Sequence, residues 1–194
     1  EYKKDPSNKE IGTVERLENG NTLITELGGQ PRLMEVDSNG KIVHSITLQP
    51  ETDNAHMQTR MARKLKSGNY LVPHLLAFKV KEYSPDGSVV NVFPTDMKEL
   101  GGRAAKNWPF TAIRLSNGNT VICLTNGNKV IEVDSDGKVV WQVSNDDLPG
   151  NPIDDACGGQ RLANGNTVIT AYHAKKGVKL LEVNPDKQIV WTYE

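Results

Sequence analysis

Ile113-Arg114-Leu115-Ser116-Asn117-Gly118-Asn119-Thr120-Val121-Ile122 decides the fold, because the chain carries the same sentence four times. Upstream it reads Glu15-Arg16-Leu17-Glu18-Asn19-Gly20-Asn21-Thr22-Leu23-Ile24 and Arg63-Lys64-Leu65-Lys66-Ser67-Gly68-Asn69-Tyr70-Leu71-Val72. Downstream it reads Gln160-Arg161-Leu162-Ala163-Asn164-Gly165-Asn166-Thr167-Val168-Ile169. The Asn that follows the Gly falls at 21, 69, 119 and 166, in steps of 48, 50 and 47 residues. A second phrase follows each copy: Leu33-Met34-Glu35-Val36-Asp37-Ser38-Asn39-Gly40, and its counterparts ending at Gly87, Gly137 and Lys187.

Asn-Gly and Asp-Gly supply the positive φ angles that tight hairpin turns need, and the short Val/Ile/Leu/Thr runs beside them are strand-like. Each repeat therefore reads as strand A, an Asn-Gly turn, strand B, a variable loop, strand C, an Asp-Gly turn and strand D. A four-stranded unit recurring at this period predicts an all-β chain, a β-propeller of four-stranded antiparallel blades. No 3.6-residue periodicity competes with it. The expected blades cover about 8–48, 54–95, 104–145 and 154–194 of a single propeller domain. Residues 1–3 read as the end of a preceding blade, so the four repeats are expected to belong to a larger ring of six to eight blades, the alternative being four blades that close alone. Pro73, inside a strand B, is the exception to a pattern that otherwise keeps proline in turns.

Composition excludes some functions. With 23 Lys+Arg against 24 Asp+Glu the net charge is −1, and no basic stripe with interleaved aromatics is present, so nucleic acid is not an expected partner. No apolar run is long enough to span a bilayer as a helix, so membrane insertion is not expected. Cys123 and Cys157 are too few for a disulfide framework and have no zinc spacing; both are expected reduced and largely buried. The acidic segment Asn145–Asp155 lacks the order of an EF-hand loop, so no metal site is expected there.

The pattern Arg-Leu-x-Asn-Gly-Asn-Thr-Val-Ile followed by Val-x-Glu-Val-Asp-x-Asp-Gly-Lys-Val-Val-Trp resembles the bacterial PQQ-like and arylsulfotransferase-like propeller repeats, over essentially the whole chain. The resemblance implies the propeller fold and an exported protein, periplasmic or extracellular. Quinoprotein dehydrogenases of this kind use a vicinal cysteine pair beside the quinone, which this chain does not have, so no cofactor is expected. Arylsulfotransferases use catalytic histidines, and three of the four histidines here are placed where such a residue could act. The fourth, His44, stands at the strand D position that Trp141 and Trp191 occupy in other blades, and reads as a packing residue.

Residues common to all repeats build the fold; residues that break the repeat are the candidates for function. The loops into strand A and out of strand B reach the same rim of every blade, the one opposite the Asn-Gly turns. They carry His56, Arg60, His74, Trp108, Asp154, Asp155 and His173, a polar cup with an aromatic wall suited to a carbohydrate or another small polar molecule, or to a protein. The leading expectation is thus a ligand- or partner-binding propeller. The alternative is a propeller transferase, lyase or hydrolase in which a histidine beside carboxylates is the general base. The recurring cations Arg16, Lys64, Arg114 and Arg161 read as structural, bonding acidic residues of a neighbouring blade.

Overall fold

A computed structural model describes residues 2–174 and 177–194. It contains four antiparallel sheets of four strands, each ordered as the chain runs. The first is β1 (Asn8–Arg16), β2 (Thr22–Gly28), β3 (Arg32–Val36) and β4 (Ile42–Thr47). The second is β5 (Arg63–Lys64), β6 (Tyr70–His74), β7 (Lys79–Tyr83) and β8 (Val89–Pro94). The third is β9 (Trp108–Arg114), β10 (Thr120–Thr125), β11 (Lys129–Val133) and β12 (Val139–Ser144). The fourth is β13 (Gly159–Arg161), β14 (Thr167–Thr170), β15 (Leu180–Val183) and β16 (Ile189–Tyr193). The fold is all-β, with blades of the propeller type. Helix among the described residues is confined to single 3-10 turns such as Ala55–Met57 and Asn145–Asp147, and no helix there is long and apolar enough to cross a membrane. The chain divides into two compact units, residues 1–92 and 93–194.

The A–B turns explain the repeated Leu-x-Asn-Gly-Asn. In the third blade Gly118 N–H donates to Leu115 O (3.1 Å) and Leu115 N–H to Asn119 O (2.8 Å), a type I turn closed by a left-handed residue. Only the glycine takes the positive φ, +90° at Gly118, with nothing within 4 Å of where a Cβ would stand. The requirement is therefore torsional, not steric. The Asn before it acts differently from the sequence expectation: Asn117 Oδ1 accepts Asn119 N–H (3.0 Å), capping the turn with its side chain.

The second recurring feature is a carboxylate hub. The Asn after the Gly reaches the strand C glutamate of its own blade, at 3.4 Å for Asn21–Glu35, 2.7 Å for Asn69–Glu82, and 2.6 Å for both Asn119–Glu132 and Asn166–Glu182. Two hubs also bind the next blade's strand A cation: Lys64 Nζ to Glu35 at 2.5 Å, and Arg161 to Glu132 at 2.7 Å. Tyr70 Oη adds a third donor to Glu35 (2.6 Å). Arg16 and Arg114 donate to Gly20 O and Gly118 O of their own turns.

Within each unit the apolar core lies between consecutive blades. Leu23, Leu33 and Ile46 of the first blade pack with Tyr70, Val72 and Tyr83 of the second. Val121, Val130 and Val143 of the third pack with Ile169, Leu181 and Val183 of the fourth. Trp141 spans that junction, its ring 5.0 Å from the Arg161 guanidinium and its Nε1 donating to Pro185 O at 3.0 Å. His44 stacks on Tyr70 at 5.7 Å. Pro73, which pairs with Val80 of β7, fits a strand interior because β5 is only two residues long: on that side the ladder with β6 ends at Arg63–Leu71, so no strand there asks Pro73 for an N–H. Cys123 and Cys157 are reduced; Cys123 is buried, which pushes its thiol up to about 12, whereas Cys157 is only half-buried.

Burial alone would raise the Glu35 carboxyl, but the hydrogen bonds from Lys64, Tyr70 and Asn21 outweigh it and hold its pKa below the ordinary 4.5. A carboxyl depressed in the folded state contributes stability above pH 4.5 and loses it as pH falls through the lower folded value. Glu35→Gln is expected to cost about 1–3 kcal/mol at pH 7 and to flatten the acid limb of the stability curve below pH 4.5, measured by urea unfolding at a series of pH values.

Candidate functional site

The candidate residues all sit at the end of their own sheet where strand A begins and strand B finishes. The structure gathers them into separate clusters within each unit. In residues 1–92, His56 lies on the 3-10 turn before β5, and Arg60 follows it. Arg60 donates to His56 Nδ1 (2.9 Å) and to Glu10 Oε2 (3.3 Å), while Glu10 Oε2 is 3.1 Å from the same imidazole nitrogen. One nitrogen cannot accept from Arg60 and donate to Glu10 at once, so these are alternative arrangements of one trio in which His56 is exposed and Arg60 largely buried.

His74 does not join them. It is fully buried, and both ring nitrogens are occupied within the protein: Nδ1 faces Gln58 O at 3.2 Å and Nε2 faces Tyr83 Oη at 2.9 Å. Tyr83 Oη already accepts Gln49 N–H (3.1 Å), so its proton goes to Nε2 and the imidazole donates from Nδ1 to Gln58. Gln58 in turn clasps the backbone of Gly28 through both ends of its amide (2.8 and 3.0 Å). The expectation that His74 lines an open mouth is therefore corrected: it braces the loop between two blades. The signal was in the repeat. His74 stands five residues after Asn69, where the other blades place Glu26, Leu124 and Ala171, all buried. Glu26 is closed in the same way, its carboxylate taken by Tyr2 Oη, Asp5 N–H, Asn8 Nδ2 and Arg32 Nε.

In residues 93–194 the cluster centres on Asp155. Its Oδ1 accepts Thr125 Oγ1–H and Asn126 N–H (2.6 Å), and its Oδ2 lies 2.5 Å from His173 Nδ1. Asp155 N–H donates to Asn128 Oδ1 (2.8 Å), and Asp155 O accepts Tyr172 N–H (3.3 Å). Asp155, Asn126 and Asn128 all have left-handed backbones, φ +65°, +60° and +50°. Asn and Asp are the non-glycine residues that adopt this conformation most readily, and Asn126 and Asn128 flank Gly127 in the turn between β10 and β11. The carboxylate fixes a proton on His173 Nδ1 and leaves Nε2, on the far side of the ring, as an acceptor. His173 and Tyr172 form a tilted pair 4.9 Å apart, with 62% of the His173 side chain and 70% of Tyr172 exposed.

Trp108 pairs with Thr125 across β9 and β10, so the two project from the same face of that sheet. Thr125 Oγ1 also lies 3.4 Å from Cys157 Sγ. The buried Trp108 Nε1 has no hydrogen-bond partner among the described residues. Asp154 contributes its carbonyl, which accepts His173 N–H (3.2 Å), while its side chain is exposed. Thr125 was missed by sequence reasoning, because a Thr closing a β-run reads as an ordinary strand residue. Asp147, in the acidic segment, caps Ser144 N–H (2.9 Å) and pairs with Lys187 (2.8 Å); no metal-binding group of carboxylates, histidines or cysteines occurs among the described residues.

Residues 46–177, about two thirds of the chain, match the family described as Mal s 1 allergenic protein-like. The chain belongs to this family. No curated protein matches it. Solved structures match its fold. A protein of unknown function from Bacteroides caccae aligns at 24% identity and TM-score 0.79, over 97% of this chain and 68% of the other. A streptogramin B lyase aligns at 13% identity and TM-score 0.69, over 96% and 55%. A catalytically inactive virginiamycin B lyase from Staphylococcus aureus, crystallised with quinupristin, aligns at 14% identity and TM-score 0.68, over 97% and 56%. The chain thus spans little more than half the length of the two lyases, and the likeness to all three is one of fold.

Burial, and after it the positive charge of Lys81, pushes the His74 pKa from 6.5 down to about 3. A histidine buried neutral contributes stability above its unfolded pKa, and loses it progressively as pH falls from 6.5 towards 3. Removing it also strands Gln58 O and Tyr83 Oη in the core. His74→Ala is expected to lower stability by about 2–4 kcal/mol at pH 7 and to remove part of the pH dependence between 6.5 and 3, measured by chemical denaturation across that range.

Proposed function

We propose that this chain is the ligand-binding part of a propeller that takes a small hydroxylated molecule, of the carbohydrate class, on the rim formed by Asp155, Tyr172 and His173. The observation that carries the reading is the Asp155–His173 pair at 2.5 Å. It sets Nε2 as an acceptor for a ligand hydroxyl, next to an exposed tyrosine ring that offers an apolar face for stacking. The turn between β10 and β11 holds Asp155 there, Asn126 N–H donating to its carboxylate and Asn128 Oδ1 accepting its N–H. The buried, unpartnered Trp108 Nε1 supplies a further donor on the neighbouring strand face.

A second reading rests on the same pair. A carboxylate on Nδ1 with Nε2 left to accept a proton is also the arrangement of a general base. The resemblance to arylsulfotransferase-like repeats, and the lyases among the fold neighbours, support a histidine-centred enzyme as this alternative. Recovery of the ligand after incubation separates the two: a binder returns it unchanged, an enzyme does not.

Titration calorimetry against a panel of neutral mono- and disaccharides tests the binding reading. At least one is expected to bind, with affinity reduced about tenfold or more, equivalent to about 1.4 kcal/mol, in Tyr172→Ala and in His173→Ala. Both exposed residues should leave the melting temperature within a few degrees. Absence of any binding, or variants that bind as the parent does, would reject the assignment.

A further inference from the structure

Cys123 and Cys157 are reduced, yet the third and fourth blades set them against each other. Cys123 lies on β10, on the face turned to the fourth blade, where it packs with Ala156 and Ile169. Its neighbours on that face are Thr111, directly opposite on β9, and Thr125, two residues further along β10. Cys157 touches both of them. Thr111 Oγ1 donates to Cys157 O at 2.6 Å, and Thr125 Oγ1 lies 3.4 Å from Cys157 Sγ. The backbone and the thiol of Cys157 thus lie over the residues that bracket Cys123.

The approach is closer than side chains ordinarily permit. Sheets packed face to face stand about 10 Å apart, whereas a disulfide joins Cα atoms about 4.4–6.8 Å apart. Gly159, two residues after Cys157, narrows the gap here: a Cβ at that position would stand 2.8 Å from Cys123 Sγ and 2.9 Å from Val168 O. The Cys123 thiol fills the space that a side chain at 159 would need. The closeness shows in charge as well, since burial first, and then Cys157, pushes the Cys123 thiol up to about 12. The surroundings of the two thiols differ. Cys123 is fully buried, while Cys157 is half-buried and borders the Asp155 cluster through Thr125.

We propose that Cys123 and Cys157 are a dithiol modification site that takes a small disulfide, such as oxidised glutathione, and closes into a bridge between the third blade and the entry to the fourth. Cys157, the thiol that solvent reaches, reacts first. It gives up its proton and its Sγ bonds to one sulfur of the reagent; the reagent's S–S bond breaks, and the other half leaves as a thiolate and takes up a proton. Cys123 then gives up its proton and attacks Sγ of Cys157. The bond to the first half of the reagent breaks, and that half leaves as a second thiol. Two cysteines are oxidised and one disulfide is reduced, with no other reactant. The buried Cys123 sets the pace, because below about 12 its thiolate fraction rises about tenfold for each pH unit. The site stands independently of any ligand on the rim.

Incubation of the folded chain with oxidised glutathione tests this, followed by mass spectrometry and by peptide mapping without reductant. The parent is expected to pass through a glutathione adduct on Cys157 to a single chain lighter by two hydrogens, with the Cys123 and Cys157 peptides joined. The closing step should quicken about tenfold for each pH unit. Cys123→Ser is expected to stop at the adduct, and folded Cys157→Ser to take up no glutathione. Dithiothreitol should return the bridged parent to two free thiols. A parent that keeps both thiols free, holds the adduct without closing, or links two chains overturns the proposal, whether or not the variants fold. So does uptake of glutathione by folded Cys157→Ser.

Discussion

A glutamate on the third strand of each blade, bound by the asparagine of the A–B turn and buried in the first and third blades, is the constraint on which the rest of the structure depends. A carboxylate taken out of water must be supplied with donors, and a buried charge left without them costs several kcal/mol. The chain supplies them twice over. Asn119 ties Glu132 to the hairpin of its own blade, and Arg161 ties it to the next blade. The same arrangement joins Asn21, Glu35 and Lys64. Turn geometry, strand register and blade-to-blade docking therefore share one group, and a slip in any of them strands the charge. This explains why Asn-Gly-Asn and Glu-Val-Asp recur together: they are two halves of one hydrogen-bonded unit.

Because the hub fixes one end of each sheet, the other end is released from structural duty and can vary. Two outcomes of that freedom are visible. Where a polar side chain remains on the strand, it is absorbed into the interior with every hydrogen bond satisfied, as His74 is by Tyr83 and Gln58. Where it lies past the last paired residue, it stays at the surface, as His173 does beside Tyr172. The second outcome goes with left-handed backbone at Asp155, Asn126 and Asn128, in a unit whose remaining hairpins use glycine for the same angles or, once, Lys187. The turn between β10 and β11 thereby places Asn126 and Asn128 on Asp155, which in turn aligns on the imidazole.

The blades were legible in the sequence because Gly, Asn and Asp punctuate it at fixed offsets and the intervening runs are β-branched. Four sheets in chain order followed from that alone. The rim was legible only in part. Asp155 and His173 break the repeat and lie side by side. His56 and Arg60 converge too, but on Glu10. His74 breaks the repeat for a different reason: its position faces inward in every blade, and difference from the neighbours could not by itself distinguish a core substitution from a site. Thr125 carried no signal, since its part depends on a carboxylate thirty residues away meeting it across two blades. The short β5 was hidden as well; Pro73 marks it, although only the missing partner strand explains why proline is tolerated there.

A double-mutant cycle between Glu132 and Arg161 tests most directly whether the carboxylate hub couples one blade to the next. Glu132→Gln, Arg161→Met and the double variant would be compared with the parent by equilibrium unfolding. Joined at 2.7 Å and both largely shielded from solvent, the two residues are expected to show a coupling free energy of about 1.5 kcal/mol or more. Additive effects, with coupling below about 0.3 kcal/mol, would mean that the blades are held by their apolar faces alone and would contradict the account.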